Sequence, residues 1–176
     1  MRLSVPFLAL IAAGANALSI NRRGELDVPG HNPLKFCDPD RSNDLITIEE
    51  VNLEPNPPQA GDTLVIRATG TVKETIEDGA YVNLDVRYGY IKLISTQADL
   101  CKEIKNVELT CPIEKGKIEI FKTIDLPKEI PPGRYIVQAD VYSKDDEHIT
   151  CLTATVYFKP KPIGRPPLGN LLGGDL

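Results

Sequence analysis

The stretch that decides the fold is residues 130–158, IPPGRYIVQADVYSKDDEHITCLTATVYF. On both sides of a polar turn, apolar residues alternate with polar ones, and this period of two is typical of half-buried β-strands. The alternation predicts two strands that each present one apolar face, formed by Tyr135, Val137, Ala139 and Val141 in the first and by Leu152, Ala154, Val156 and Phe158 in the second. The acidic segment between them is expected to be a solvated hairpin turn.

The same alternation continues on the N-terminal side of this hairpin. It predicts strands around four apolar sets: Ile46, Ile48 and Val51; Leu64, Ile66, Ala68, Gly70 and Val72; Val82, Leu84 and Val86; and Ile118, Ile120 and Ile124. Beyond Gly89 the apolar phase shifts to Ile91 and Leu93, which predicts a bulge or bend at Tyr88-Gly89-Tyr90. About seven strands with no long amphipathic helix predict an all-β, immunoglobulin-like sandwich of two antiparallel sheets.

Four cysteines frame this strand-rich region: Cys37, Cys101, Cys111 and Cys151. Four cysteines allow three pairings. The spacing favours Cys37–Cys151 and Cys101–Cys111, because the outer two lie at the ends of the region and the inner two close one small loop. Such bridges would stabilise the domain by roughly 4 to 5 and 3 kcal/mol, respectively.

The termini indicate a secreted or lumenal protein. Residues 1–18 combine an early arginine, a short apolar run and a small-residue cleavage pattern, which predicts a signal peptide. Residues 19–33 are interpreted as an N-terminal arm, either disordered or a propeptide cut after Arg22-Arg23, and the Pro- and Gly-rich residues 159–176 as a disordered tail. One domain, residues 34–158, remains. No other apolar run approaches the roughly 20 residues of a membrane span, so the mature protein is expected to be soluble.

Charge and composition exclude several functions. Lys and Arg number 20 against 25 Asp and Glu, and the pI is near 5.1, which argues against nucleic-acid binding. His31 and His148 are the only histidines, so neither a nucleophile–base site nor a histidine-rich metal site is expected. The acidic cluster Asp145–Glu147 lacks the spaced oxygen ligands of a calcium loop. We therefore expect no enzyme activity, metal or cofactor.

Several short segments together resemble the ML lipid-recognition domains. They are Leu34–Cys37, the pair Cys101 and Cys111 followed by Pro112–Gly116, Ile130–Tyr135, and Ile149–Cys151. The resemblance covers about residues 34 to 158 and is strongest to the fungal phosphatidylglycerol/phosphatidylinositol transfer proteins, relatives of the soluble Niemann-Pick type C sterol carrier. The chain departs from the animal carriers, which have a third disulfide shortly after the first cysteine, because residues 38–60 contain no cysteine.

The resemblance implies that the space between the sheets holds the apolar part of a lipid. Small residues on the strand faces and the absence of Trp permit a cavity, although small residues alone more often indicate close sheet packing. By resemblance the cavity is lined by Leu64, Ile66, Ala68, Val82, Leu84, Val86, Ile118, Ile120, Val137, Ala139, Val141, Leu152, Ala154 and Val156. Its mouth is expected at Tyr88, Tyr90, Ile91, Pro112, Ile113, Pro131 and Pro132.

The resemblance also implies a function, namely intermembrane transfer of phosphatidylglycerol, phosphatidylinositol or sterol by a carrier in the vacuole, the lysosome or the extracellular space. The expected partners are the lipid, a membrane surface contacted transiently, and a membrane sterol transporter; the carrier itself is expected to be monomeric. The alternative is a non-enzymatic adhesion or recognition sandwich with a filled core. The identity of the lipid and the choice between vacuole and extracellular space stay open at this stage.

Overall fold

A computed structural model describes residues 24–107 and 109–160 as a β-sandwich. Its eight strands in these ranges are β1 (Leu34–Phe36), β2 (Ile46–Glu54), β3 (Thr63–Val72), β4 (Tyr81–Tyr88), β5 (Ile91–Asp99), β6 (Gly116–Asp125), β7 (Gly133–Tyr142) and β8 (His148–Phe158). A single helical turn, α1 (Leu100–Glu103), runs into a short 3-10 helix, Ile104–Val107. One sheet has the order β1-β8-β7-β4-β5 and the other the order β2-β3-β6, and all pairs are antiparallel. The all-β, two-sheet prediction is confirmed.

The prediction of a bulge or bend at Tyr88-Gly89-Tyr90 is wrong, because the chain reverses there completely. Tyr88 pairs with Ile91, so Gly89 and Tyr90 form a two-residue hairpin turn between β4 and β5. Gly89 has a φ of 55°, a value that suits glycine at the first central position of such a turn. The bulge lies further on, since Arg87 pairs with Lys92 and Val86 with Ile94, which leaves Leu93 unpaired. β5 is thus a separate strand, and with β1 it raises the strand number above the predicted seven.

The chain crosses between the sheets mainly at one end of the sandwich. The connections 37–45, 73–80 and 100–115 all cross there, whereas at the opposite end only residues 126–132 cross. We call the first the closed end and the second the open end. The β2–β3 and β4–β5 connections at the open end are turns within one sheet.

Buried apolar side chains form two clusters. The closed-end cluster contains Val72, Ile76, Ala80, Ile113 and Ile149. The second cluster joins β1, β2 and β3 and contains Val28, Phe36, Val51, Leu53 and Leu64. The buried apolar residues of the described ranges therefore form two separate clusters rather than one continuous core.

Residues 24–33 correct the expectation of a disordered arm. Val28 is buried in the second cluster, and backbone bonds join the segment to β1 and β2: the Phe36 N–H donates to Leu26 O at 2.7 Å and the Val51 N–H to Pro29 O at 2.8 Å. The Asn32 side chain adds a bond to Val51 O at 2.7 Å. In the sequence, Leu26 and Val28 are two apolar residues in a stretch that otherwise consists of Gly, Pro and polar residues, which is too little to predict this packing.

Both predicted disulfides are present. Cys37–Cys151 ties the crossing that follows β1 to β8, and Cys101–Cys111 closes a loop within the β5–β6 crossing. Cys151 lies inside β8, and the β7–β8 register turns it to the outer face with Asp140. Both bridges therefore stabilise chain crossings at the closed end.

The predicted signal peptide, residues 1–18, and all of the predicted tail beyond Pro160 lie outside the described residues. Within the described ranges, no helix is both long and apolar enough to cross a membrane.

Candidate functional site

The inner faces of the two sheets bring the predicted lining residues together. In the five-stranded sheet, strand register aligns Leu84 with Ala139 and Ala139 with Leu152. Every second residue along these strands lies on the same inner face. In the three-stranded sheet, Ala68 is aligned with Ile120. All fourteen predicted lining residues lie on these two inner faces.

The apolar residues in the middle of the two inner faces are less buried than those of the two clusters. Leu84, Val86, Val137, Ala139 and Ile120 belong to neither buried cluster and are only half-buried. In a filled sandwich, the side chains of facing sheets interdigitate at close-packed density, and such central positions lose contact with solvent. The half-burial of these apolar residues therefore differs from the burial expected at the centre of a filled sandwich.

The two sheets differ in width, so one of them extends beyond the other on one side. With strands about 4.8 Å apart, five strands span about 19 Å between their outer strands and three strands about 10 Å. The second buried cluster joins β1 and β8 to β2 and β3, so the three-stranded sheet covers that side and leaves β4 and β5 less covered. Ile91 and Ile94, which register places on the inner face of β5, are 64% and 45% exposed. The inner face of β5 thus carries exposed apolar side chains.

The turn at Tyr88–Ile91 is fixed at the open end by the β6–β7 connection. The Tyr88 hydroxyl donates to Pro132 O at 3.0 Å, and the Tyr135 hydroxyl donates to Pro131 O at 3.1 Å. The Tyr88 and Tyr135 rings lie 5.0 Å apart, and burial, helped by Tyr88, raises the pKa of Tyr135 above its ordinary value. Gly133, with a φ of 148°, passes so close to Tyr88 that a Cβ there would lie 2.5 Å from its ring. The turn is therefore rigidly supported, whereas the Tyr90 side chain at its tip is fully exposed.

Two of the predicted mouth residues lie elsewhere. Ile113 is buried in the closed-end cluster and exchanges two backbone bonds of 2.9 Å with Ile76, and Pro112 precedes it. This cluster includes Ala80, directly before β4, whereas Tyr88 ends β4 about 23 Å further along the strand. The structure groups Tyr88, Tyr90, Ile91, Pro131 and Pro132 but separates Pro112 and Ile113 from them, because the cysteine loop folds over the closed end.

On the outer face of the five-stranded sheet, His148 lies between two carboxylates. His148 Nδ1 lies 2.7 Å from Asp44 Oδ1, and its Nε2 lies 3.3 Å from Asp140 Oδ1. Because carboxylates occupy the space next to both ring nitrogens, no nucleophilic side chain lies against either of them among the described contacts. A hydrogen bond donated to Asp140 raises the pKa of Tyr142 and adds to this network. The arrangement is structural, joining β7, β8 and the 37–45 crossing.

A geometric candidate for a metal site fails on its chemistry. Asp78, Cys101 and Cys111 place ligand atoms within 4.8 Å of one another. The two sulfurs form a disulfide and cannot supply the thiolates that bind metals.

One inner-face residue was missed in the sequence. Lys122 lies between Ile120 and Ile124 on β6, is aligned with Ile66, and is half-buried like its inner-face neighbours. The alternation that predicts Ile118, Ile120 and Ile124 on the inner face predicts position 122 there as well. Lys122 was left out of the predicted lining because it is charged.

Comparison with known proteins identifies the family. The ML domain model matches residues 31–158, more than half of the chain, and the chain belongs to this family. A phosphatidylglycerol/phosphatidylinositol transfer protein of Neurospora crassa is 62% identical over 172 residues, covering 93% of this chain and 97% of the relative. A protein of the same name from Pyricularia oryzae is 51% identical over 174 residues, covering 94% and 98%.

Solved structures support the same fold. A Niemann-Pick type C2 protein from the Japanese carpenter ant aligns with a TM-score of 0.51 at 15% identity, covering 72% of this chain and 98% of that one. Chicken MD-1, complexed with lipid IVa, aligns with a TM-score of 0.51 at 23% identity, covering 70% and 86%. The ML family is not known for enzymes, in agreement with the sequence-based expectation.

Proposed function

We propose that this chain is a lipid carrier that binds one phospholipid or sterol between its two sheets and moves it between membranes of the secretory pathway, the vacuole or the extracellular space. The observation that carries the proposal is the half-burial of the apolar residues in the middle of the interior, Leu84, Val86, Val137, Ala139 and Ile120. The names of the relatives, phosphatidylglycerol/phosphatidylinositol transfer proteins, favour a glycerophospholipid as the cargo.

The physical requirement of transfer fits such an interior. Hydrocarbon exposed to water costs about 0.8 kcal/mol per CH₂, so one long acyl chain in aqueous transit would cost on the order of 10 kcal/mol. An apolar space removes most of this cost without a chemical reaction. Because the cargo must also be released, the space must open at the membrane, and we place the opening between β5 and β6 at the open end.

The turn Tyr88–Ile91 is the proposed membrane contact. It presents Tyr90 and Ile91 to solvent while Tyr88 anchors it to Pro132. Exposed apolar groups next to an opening are typical of a surface that meets a membrane or another apolar partner. The Pro131-Pro132 segment supports the turn from behind and belongs to the same proposed mouth.

Native mass spectrometry of the purified protein tests the proposal. We expect a bound lipid at one per chain, together with uptake from vesicles that contain phosphatidylglycerol, phosphatidylinositol or sterol. A lipid-free mass without uptake from any of these vesicles would instead support an adhesion or recognition sandwich. Offering the three vesicle types separately and then in competition also ranks the three lipids by their affinity for the protein.

A further inference from the structure

Lys122 is out of place on an otherwise uncharged surface. Strand register puts Ile46, Ile48, Val51 and Leu53 of β2 and Leu64, Ile66, Ala68, Gly70 and Val72 of β3 on the inner face of the three-stranded sheet. β6 contributes Ile118, Ile120, Lys122 and Ile124 to the same face. Among the described strand residues on the two inner faces, Lys122 alone carries a charge.

The charge has no counterpart within the described protein. The described ion pairs of lysine join Lys35, Lys92, Lys102, Lys117 and Lys144 to carboxylates, and Lys122 makes none. Holding an ammonium group against an apolar face is costly unless the group is paired or reaches water. A position of this kind suits a residue whose partner arrives with a ligand.

Its position along β6 points to one part of a ligand. Lys122 lies three residues, roughly 10 Å, before Asp125, where β6 runs into the 126–132 connection at the open end. That connection contacts the β4–β5 turn through Tyr88 and Pro132. β6 is also the edge strand of its sheet, next to the opening. A lipid with its chains between the sheets would therefore have its headgroup near Lys122.

We propose that Lys122 binds the anionic phosphodiester of a lipid headgroup and so selects glycerophospholipids over uncharged amphiphiles of similar chain length. This inference rests on the proposed function and adds the residue that selects the cargo. A lysine ammonium binds phosphate as a point charge, with charge-assisted hydrogen bonds that strengthen where water is partly excluded. A sterol hydroxyl or a diacylglycerol offers no charge to compensate Lys122.

An inward lysine on an edge strand has another use, which is to discourage pairing with a second copy of the sheet edge. The two roles differ in their consequences. Protection of the edge changes self-association whatever the lipid, whereas binding of a phosphodiester changes the ratio of affinities for lipids that differ only in that group.

The experiment compares Lys122→Met with Lys117→Met. Lys117 lies on the exposed face of the same strand, where it pairs with Glu49 at 3.6 Å, so its replacement removes the same charge from the other side. The probes are phosphatidylglycerol and diacylglycerol with identical chains, dispersed in detergent, with binding measured by native mass spectrometry. Thermal melting checks that both variants are folded, which we expect because Met suits the inner face at position 122 and because surface substitutions such as that at position 117 change stability little.

We expect Lys122→Met to lower the affinity for phosphatidylglycerol about tenfold and to leave diacylglycerol within about twofold; tenfold corresponds to about 1.4 kcal/mol. Lys122→Arg should retain most of the preference, and Lys117→Met all of it. The chain-free headgroup, glycerophosphoglycerol, should not compete at equal concentration, because its binding would lack the apolar contribution.

Two results would overturn the inference. One is an unchanged ratio of the two affinities in Lys122→Met, whether both affinities stay the same or both fall equally, and the other is effective competition by the chain-free headgroup. An unchanged ratio together with new self-association would assign Lys122 to edge protection. If the parent protein bound neither lipid, the proposed function itself would fall, whereas lipid binding with an unchanged ratio would overturn only the role of Lys122.

Discussion

The two ends of the sandwich are built from the same strands but differ in what joins them. At the closed end, three connections cross between the sheets and carry Ile76 and Ile113 into a buried cluster with Val72. At the open end, two of the three connections turn back within their own sheet, and Ile91 is left exposed. Crossing connections bring side chains into the space between sheets, whereas hairpin turns do not. The difference shows how one sandwich can be covered at one end and carry an exposed apolar turn at the other, even though Leu53 and Leu64 are buried near that second end.

The largest expected effect comes from the same substitution made at both ends. Ile76 is 2% exposed and Ile91 is 64% exposed. Ile76→Ala should lower the free energy of unfolding by about 2 to 5 kcal/mol, because it leaves a cavity in a packed cluster. Ile91→Ala should change it by less than about 0.5 kcal/mol. Urea denaturation measures both, and similar losses in the two variants would mean that the open end is packed in solution.

The second effect concerns filling the interior with tryptophan. Ala139 lies half-buried in the middle of β7, and Ala80 is completely buried in the closed-end cluster. Ala139→Trp should fill the proposed cavity and reduce lipid uptake by an order of magnitude or more while the protein stays folded. Ala80→Trp should overpack the cluster and destabilise the protein by about 3 kcal/mol.

Circular dichroism and thermal melting report on folding, and vesicle uptake reports on the cavity. If Ala139→Trp unfolds as readily as Ala80→Trp, the middle of the interior is a filled core, and the lipid-carrier proposal loses the observation on which it depends.

The third effect separates binding from membrane contact. Ile91→Asp places a charge at the proposed contact and should slow transfer between anionic vesicles about fivefold, since one charge near such a surface is worth about 1 kcal/mol. Phe121→Asp is the control, because Phe121 is also exposed but lies on the outer face of β6. Binding of detergent-dispersed lipid should change little in both variants. Equal transfer rates for Ile91→Asp and the parent would move the proposed entrance away from the β4–β5 turn.

The sequence predicted the faces of the strands better than the ends of the sandwich. Alternation is a local property, so it placed Val137 and Ala139 correctly on the inner face. Which end a loop covers depends on where the chain crosses between the sheets, and alternation does not show this. Ile113 was therefore predicted at the mouth, but it lies in the closed-end cluster. The packing of Val28 also depends on a distant partner, β2, which no local pattern reveals. Lys122 differs, because the alternation along β6 predicts its position on the inner face, and it was left out of the predicted lining only because lysine is charged.

The smallest expected effect is a pH dependence confined to β5, the strand beside the opening. Hydrogen bonds from Ser95 and then Lys92 hold the pKa of Asp85, on β4, below its ordinary value, and Lys92 lies 3.3 Å from the carboxylate. Because the folded pKa is the lower one, this stabilisation is fully present above the unfolded pKa, near 3.9, and is lost as the pH falls through the folded value.

Hydrogen exchange of the β5 amides measures this contribution directly. Between about pH 5 and pH 3, β5 in the parent protein should lose protection beyond the ordinary pH dependence of exchange, while β5 in Asp85→Asn should follow that ordinary dependence. Amides of the closed end, such as that of Ile76, which donates to Ile113 O at 2.9 Å, should behave alike in both proteins. Asp85 is exposed enough for salt to weaken the effect, which gives a second check. If the closed-end amides lost protection together with β5, the two ends would open as one unit and the distinction between them would not extend to their dynamics.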